Sequence, residues 1–105
     1  LRVLLADNKD ELIRALSADF GTRAAQESLM AEIVPCLTQI QHTRGHLKSW
    51  MAPQRRATAI TFWTGSNRVL FQPKGVVLIV SPWNYPVQLA IGPLVAALAA
   101  GNRRR

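Results

Sequence analysis

A chain of 105 residues, 49% of them hydrophobic, carries apolar material for one modest core, since domains of about 100–150 residues are the common size. Thirteen basic residues against six acidic ones give a formal net charge of +7, but the run Arg103–Arg105 supplies part of it and the rest is scattered without interleaved aromatics, which argues against specific nucleic-acid binding. The single cysteine, Cys36, excludes an intrachain disulfide and suits a reducing compartment.

In chain order, Asp7 or Asn8 is placed to cap a helix, with Asp10 and Glu11 at the positive end of its dipole. Leu12, Ile13, Leu16 and Phe20 follow at helical spacing, and Gly21 is a natural stop. A longer helical pattern runs from about Gln26 to Trp50 on Leu29, Ile33, Leu37, Ile40, Leu47 and Trp50. Pro35 should bend or divide it. His42 and His46 stand four apart, the spacing that lets two imidazoles share a metal. No third ligand accompanies them, and with Arg44 and Lys48 alongside they read as a solvated face. No metal site is expected.

Met51–Arg56 has the composition of a linker. From Ala57 to Trp63 the period becomes alternating, and Gly65-Ser66-Asn67 would turn the chain into Val69-Leu70-Phe71, giving a hairpin apolar on both faces. A hairpin of that kind calls for a cover, such as a partner subunit. Val76 to Val80 is an unbroken apolar run, the mark of a parallel strand buried on both faces. Pro86 suits the first position of a helix, weakened at Gly92 and Pro93 so that its regular part would begin only at Pro93, and ended by Gly101-Asn102. Gln88, Gly92 and Pro93 also keep this segment well short of a membrane span of about 18 apolar residues. The opening Leu1–Asp7 is too short for a signal peptide, so a cytoplasmic location is expected.

The order strand, short loop, proline-started helix is half of a nucleotide-binding βαβ unit, and in an open α/β sheet ligands gather past the carboxyl ends of the strands. Such a helix would offer free backbone donors to an anion. The second strand is missing, and no G-x-G-x-x-G fingerprint is present. Within the Ser81–Pro86 loop, Asn84 is notable because a side-chain amide at the mouth of a sheet can donate to a developing oxyanion. Cys36 lies mid-helix after Pro35 with nothing to lower its pKa, and reads as a packed, unreactive thiol.

The segment Gln72–Pro86, with Pro82-Trp83-Asn84-Tyr85-Pro86 at its end, continuing to Ala99-Ala100-Gly101-Asn102, resembles the amino-terminal part of the aldehyde dehydrogenase superfamily. Within it the pattern is most similar to the coniferyl aldehyde branch. Ala18-Asp19-Phe20-Gly21, Glu27, Glu32-Ile33 and Leu47–Met51 stand in the order of that branch, so the resemblance covers residues 1–102. It implies an α/β fold: the amino-terminal part of a Rossmann-type NAD(P)-binding domain, incomplete as it stands. Its parts would be a helical region over 1–52, a hairpin arm over 57–73 and a strand-loop-helix unit over 75–102.

The resemblance further implies that Ser81, Pro82 and Trp83 line the channel for NAD or NADP, and that Asn84 donates to the oxyanion formed when a cysteine thiolate attacks an aldehyde. The hairpin would be an oligomerisation arm joining like subunits. The family continues after Ala-Ala-Gly-Asn into a second strand ending in Lys-Pro-Ser-Glu, whereas this chain reads Arg103-Arg104-Arg105; a natural terminus, a truncation and a shifted frame all fit. The nucleophilic cysteine, the general-base glutamate and the glycine motif are not found in it. Residues 1–105 alone are therefore expected to be inactive. The alternative is a small interaction protein that associates through its hairpin.

Overall fold

The computed structural model describes residues 1–104, with the backbone alone at Arg104; Arg105 lies outside the described residues. Helix α1 (Arg2–Asp7) leads directly into α2 (Lys9–Phe20). Asn8 joins them, but its Nδ2 donates 2.8 Å back to Leu4 O, closing α1, and α2 has no side-chain cap. The expected capping role thus goes to the preceding helix. Gly21 does stop α2, with φ at 74° and its N–H donating to Ser17 O at 2.9 Å. A left-handed φ is readily available to glycine alone.

Helix α3 (Ala25–Ser28) runs into a π-helical turn, Leu29–Ile33, and then into α4 (Val34–Trp50) without a break in the helical path. Pro35, in the first turn of α4, lacks the donor a regular helix needs and its ring crowds the carbonyl four residues back. The turn just before it widens, Val34 N–H reaching Leu29 O, so the expected bend is realised as a π-bulge. The widened turn alters which side chains face inward. Ser28, Glu32, Ile33 and Cys36 are buried, whereas Trp50 at the end of the expected stripe is exposed.

A hairpin follows, but not on the strands expected. β1 (Gln54–Arg56) pairs antiparallel with β2 (Asn67–Val69), in register Gln54 with Val69 and Arg56 with Asn67. The supposed linker supplies one strand and the supposed turn residue Asn67 begins the other. The alternating stretch forms the tip, where Ile60–Phe62 makes a 3-10 turn. Phe62 N–H donates to Ala59 O and Gly65 N–H to Phe62 O, both at 2.8 Å. Alternation alone does not make a strand when neither face is covered, and Ile60, Phe62 and Trp63 are all exposed.

β3 (Val76–Val77) is shorter than the apolar run around it, and it is not buried on both faces: Leu78 is 82% and Val80 83% exposed. It does have a parallel neighbour. β4 (Arg103–Arg104) pairs with it, Val76 beside Arg103, so the strand that the sequence reading found missing is present in minimal form. Between them runs α5 (Pro86–Ala99), helical from Pro86 onward, through Gly92 and Pro93. The weakened first turns hold because α4 supports them. Gln39 Nε2 donates to Gly92 O at 3.2 Å, an approach that a side chain at position 92 would crowd, since an added Cβ would stand 3.1 Å from Gln39 Oε1.

Gly101 (φ 79°) and Asn102 end α5 as expected. Asn102 then does more: its Oδ1 accepts from Lys74 N at 2.6 Å and Gly75 N at 3.0 Å, tying the end of α5 to the start of β3.

The core is helical and small: Leu5, Leu16, Ile33, Cys36, Leu94 and Val95. The described chain extends over 65 × 24 × 20 Å with a radius of gyration of 19.0 Å, against about 13 Å for a compact domain of this size. Its exposed surface is 8377 Å², well above the roughly 5,800 Å² that area scaling gives a compact monomer of this mass. The helices form a nucleus from which the hairpin and the loop after β3 project.

Candidate functional site

The loop of residues 78–85 joins β3 to α5, and its end is held by charges buried beneath it. Glu32 is fully buried on the π-helical turn. Its Oε2 accepts from Val87 N at 2.7 Å and Gln88 N at 3.2 Å, the first free amides of α5. A carboxylate is the natural occupant of a helix amino terminus, so these donors are satisfied from within the protein. The expectation that they stand free for an anion is overturned.

Arg23 supplies the countercharge. Its Nη1 lies 2.9 Å from Glu32 Oε1, with the arginine side chain 5% exposed and the glutamate side chain 0%. The same Nη1 donates to the backbone carbonyl of Asn84 at 3.2 Å. The guanidinium sits 4.6 Å from the ring centroid of Phe20 and 4.5 Å from that of Tyr85, a double cation–π arrangement in which a planar delocalised cation is better suited than an ammonium. Glu27 Oε1 completes the rim, 3.5 Å from both Arg23 Nη2 and Tyr85 Oη. Phe20, Thr22, Arg23, Glu27, Asn84 and Tyr85 line a shallow depression of about 350 Å³.

Of the residues singled out from sequence, Asn84 lies at this depression, exposed at the loop's end. Ser81 is half-buried, while Pro82 and Trp83 are exposed, Trp83 at 88%. With Leu78 and Val80 this loop presents apolar surface. It suits the wall of a cofactor channel but supplies no cradle for a pyrophosphate, because the α5 amides are already taken.

Cys36 is buried in the core, its thiol pushed up to about 11 by desolvation and then by the nearby Glu32 carboxylate. It is no nucleophile at neutral pH. His42 and His46 lie on the exposed face of α4, ring centroids 4.2 Å apart; the His46 ring stacks with Trp50 at 5.7 Å, and the His42 ring lies tilted to it at 5.8 Å. Among the described residues they join no group of three or more side chains able to hold a metal ion.

The sequence alone does not point to these roles for Arg23, Glu32 or Asn102. Glu32 left one signal, an acid beside Ile33 on the inward side of a long helix, where burial demands a paired cation. Nothing local marks Arg23 as that partner.

This arrangement can be set beside known proteins. The aldehyde dehydrogenase family profile matches residues 1–104, and this chain belongs to the aldehyde dehydrogenase family. It is 50% identical over 103 residues to a probable coniferyl aldehyde dehydrogenase of Pseudomonas aeruginosa, covering 98% of this chain and 22% of that protein. It is 40% identical to a coniferyl aldehyde dehydrogenase of a Pseudomonas species, covering 95% of this chain and 20% of that protein. A solved structure described as the substrate-bound state of Staphylococcus aureus AldH superposes with a TM-score of 0.92 at 30% identity, over 98% of this chain and 22% of that one. The chain therefore spans about a fifth of the length of these relatives, and its α/β fold is that of the family's amino-terminal part.

Proposed function

We propose that residues 1–105 form the amino-terminal part of an NAD(P)-dependent aldehyde dehydrogenase that oxidises an aromatic or hydrophobic aldehyde, of which coniferyl aldehyde is the type, to its carboxylic acid. The observation that carries this reading is 50% identity to a probable coniferyl aldehyde dehydrogenase along nearly the whole chain. In the reaction, a cysteine thiolate of the full-length protein bonds to the aldehyde carbon and the carbonyl electron pair moves onto oxygen. Asn84 donates its side-chain amide to that oxygen. A preorganised donor aimed at developing charge lowers the barrier without reorganising during the reaction.

Converting the adduct to a thioester removes the hydrogen on the former aldehyde carbon as hydride, and the chemistry that NAD or NADP would supply when bound is that of the hydride acceptor. Ser81, Pro82 and Trp83 wall the channel that holds it, through backbone and apolar surface. Water then cleaves the thioester, releasing the acid and regenerating the thiol. Like subunits join through the hairpin, whose tip exposes Ile60, Phe62 and Trp63. The cytoplasm is the proposed location.

The test is aldehyde-dependent reduction of NAD or NADP, measured on the full-length protein and on residues 1–105 alone. The full-length protein turns over coniferyl aldehyde, and the isolated segment, whose single thiol is buried, does not. Reduction by the segment alone, or none by the full-length protein with any aromatic or long-chain aldehyde, contradicts the reading. The second reading, a truncated interaction protein acting through the hairpin, is favoured by that same exposed tip and is supported if residues 1–105, inactive alone, bind the full-length protein through that tip.

A further inference from the structure

We propose that Arg23 and Glu32 act together as a positioning pair that sets where Asn84 stands. This rests on the assignment of Asn84 as oxyanion donor. Three observations carry it. The Arg23 Nη1 donates to the Asn84 carbonyl at 3.2 Å, fixing the loop on one side of that residue. Glu32 Oε2 accepts from Val87 N at 2.7 Å and Gln88 N at 3.2 Å, fixing the start of α5 on the other. The two are joined through an Arg23 Nη1 to Glu32 Oε1 contact of 2.9 Å, with both side chains at most 5% exposed.

Asn84 itself is exposed on a loop that is otherwise poorly covered, and such a residue samples many backbone conformations unless it is held. Here it is held from both sides by one buried charge pair. The stacking of the guanidinium between Phe20 and Tyr85 fixes the fork in turn, and Tyr85 is the residue between Asn84 and the helix. Neither Arg23 nor Glu32 reaches the reacting atoms. Their effect passes through the Asn84 backbone.

Such a device has a signature that ordinary stabilisation lacks. If the pair acts through Asn84, its removal matters only while Asn84 is present. Positioning errors near 1 Å cost about a hundredfold in rate, and loss of one oxyanion donor costs about 10²- to 10³-fold in kcat.

The experiment is a double-mutant cycle in the full-length dehydrogenase, combining Arg23→Gln with Asn84→Ala and reading kcat and KM for coniferyl aldehyde. Arg23→Gln is expected to lower kcat about 10- to 100-fold with aldehyde KM little changed, the mark of an interaction made in the transition state. In the Asn84→Ala background it is expected to lower kcat less than about threefold. Arg23→Lys, which keeps the charge but loses the fork, and Glu32→Gln, which keeps one acceptor for α5, are expected to show the same coupling at smaller size and serve if Arg23→Gln does not fold. Losses that multiply fully in the double variants overturn the positioning role while leaving Asn84's own role intact. If Asn84→Ala alone leaves kcat unchanged, both the assignment of Asn84 and the pair's role fall.

Discussion

At the scale of single residues, burial decides which side chains can do chemistry. Cys36 is shielded and its thiol is raised to about 11 by desolvation and the Glu32 carboxylate, so the native protein should resist iodoacetamide at Cys36 at pH 8 and react on unfolding; rapid native alkylation at that site contradicts this. Because the folded thiol holds its proton more tightly than the unfolded one, the stability tied to it is full below about pH 9. It is lost as pH rises towards about 11, since over that window the unfolded chain binds fewer protons. Replacing Cys36 with alanine should flatten the fall in the urea midpoint across that window. Glu32→Ala should be far costlier, about 3–5 kcal/mol, because it leaves Arg23 as an uncompensated buried charge, and urea unfolding of the full-length protein measures it. Asn84 and its loop could be read in the sequence because the Pro-Trp-Asn-Tyr-Pro stretch interrupts an apolar run. The Arg23–Glu32 pair could not, since Arg23 lies in the turn between α2 and α3 while Glu32 lies on the π-helical turn that packs against α5, and only the fold brings the two together.

At the scale of elements, the longer helices and the strand beginning at Val76 were legible while α1 and the hairpin strands were not. Helical periodicity is satisfied locally, so α2 and α4 appear where spacing and Gly21 place them, and α5 ends before Gly101 as expected, although it is regular from Pro86 and not only from Pro93. Strand pairing needs a partner elsewhere in the chain. Gln54–Arg56 carries little strand signal and is a strand because Asn67–Val69 lies beside it. Ala57–Trp63 alternates well and is not a strand, because nothing among the described residues covers it. Asn102 is a different case: the Ala-Ala-Gly-Asn segment was evident, but the role of its asparagine emerges only when β3 is in place. Asn102→Ala should cost about 1–2 kcal/mol by removing its two hydrogen bonds to Lys74 and Gly75, seen as a lower unfolding midpoint. Asn102→Asp, which retains the acceptor, should lie near wild type. Equal losses in both would show that the bonds at Oδ1 are not what stabilises this corner.

At the scale of the whole molecule, the described residues form a small helical nucleus carrying apolar projections at the hairpin tip and at Leu78, Val80 and Trp83. Surface of this kind is costly in water and tends to find a cover. Residues 1–105 alone should therefore associate, with light scattering showing species larger than a monomer, and Phe62→Glu with Trp63→Glu should reduce that association. A monodisperse monomer at the same concentration contradicts the claim. The α/β reading from the βαβ-like order of elements agrees with the structure because β4 completes the unit. The extended shape had no counterpart in composition, which speaks only of how much apolar material there is and not of how it is distributed.

The central proposal is that Asn84 donates its side-chain amide to the aldehyde oxygen as that oxygen gains charge. Its most direct test is the kcat of the full-length Asn84→Ala variant with coniferyl aldehyde and saturating NAD or NADP. The expected result is a loss of about 10²- to 10³-fold with aldehyde KM little altered. A kcat within about twofold of wild type contradicts it.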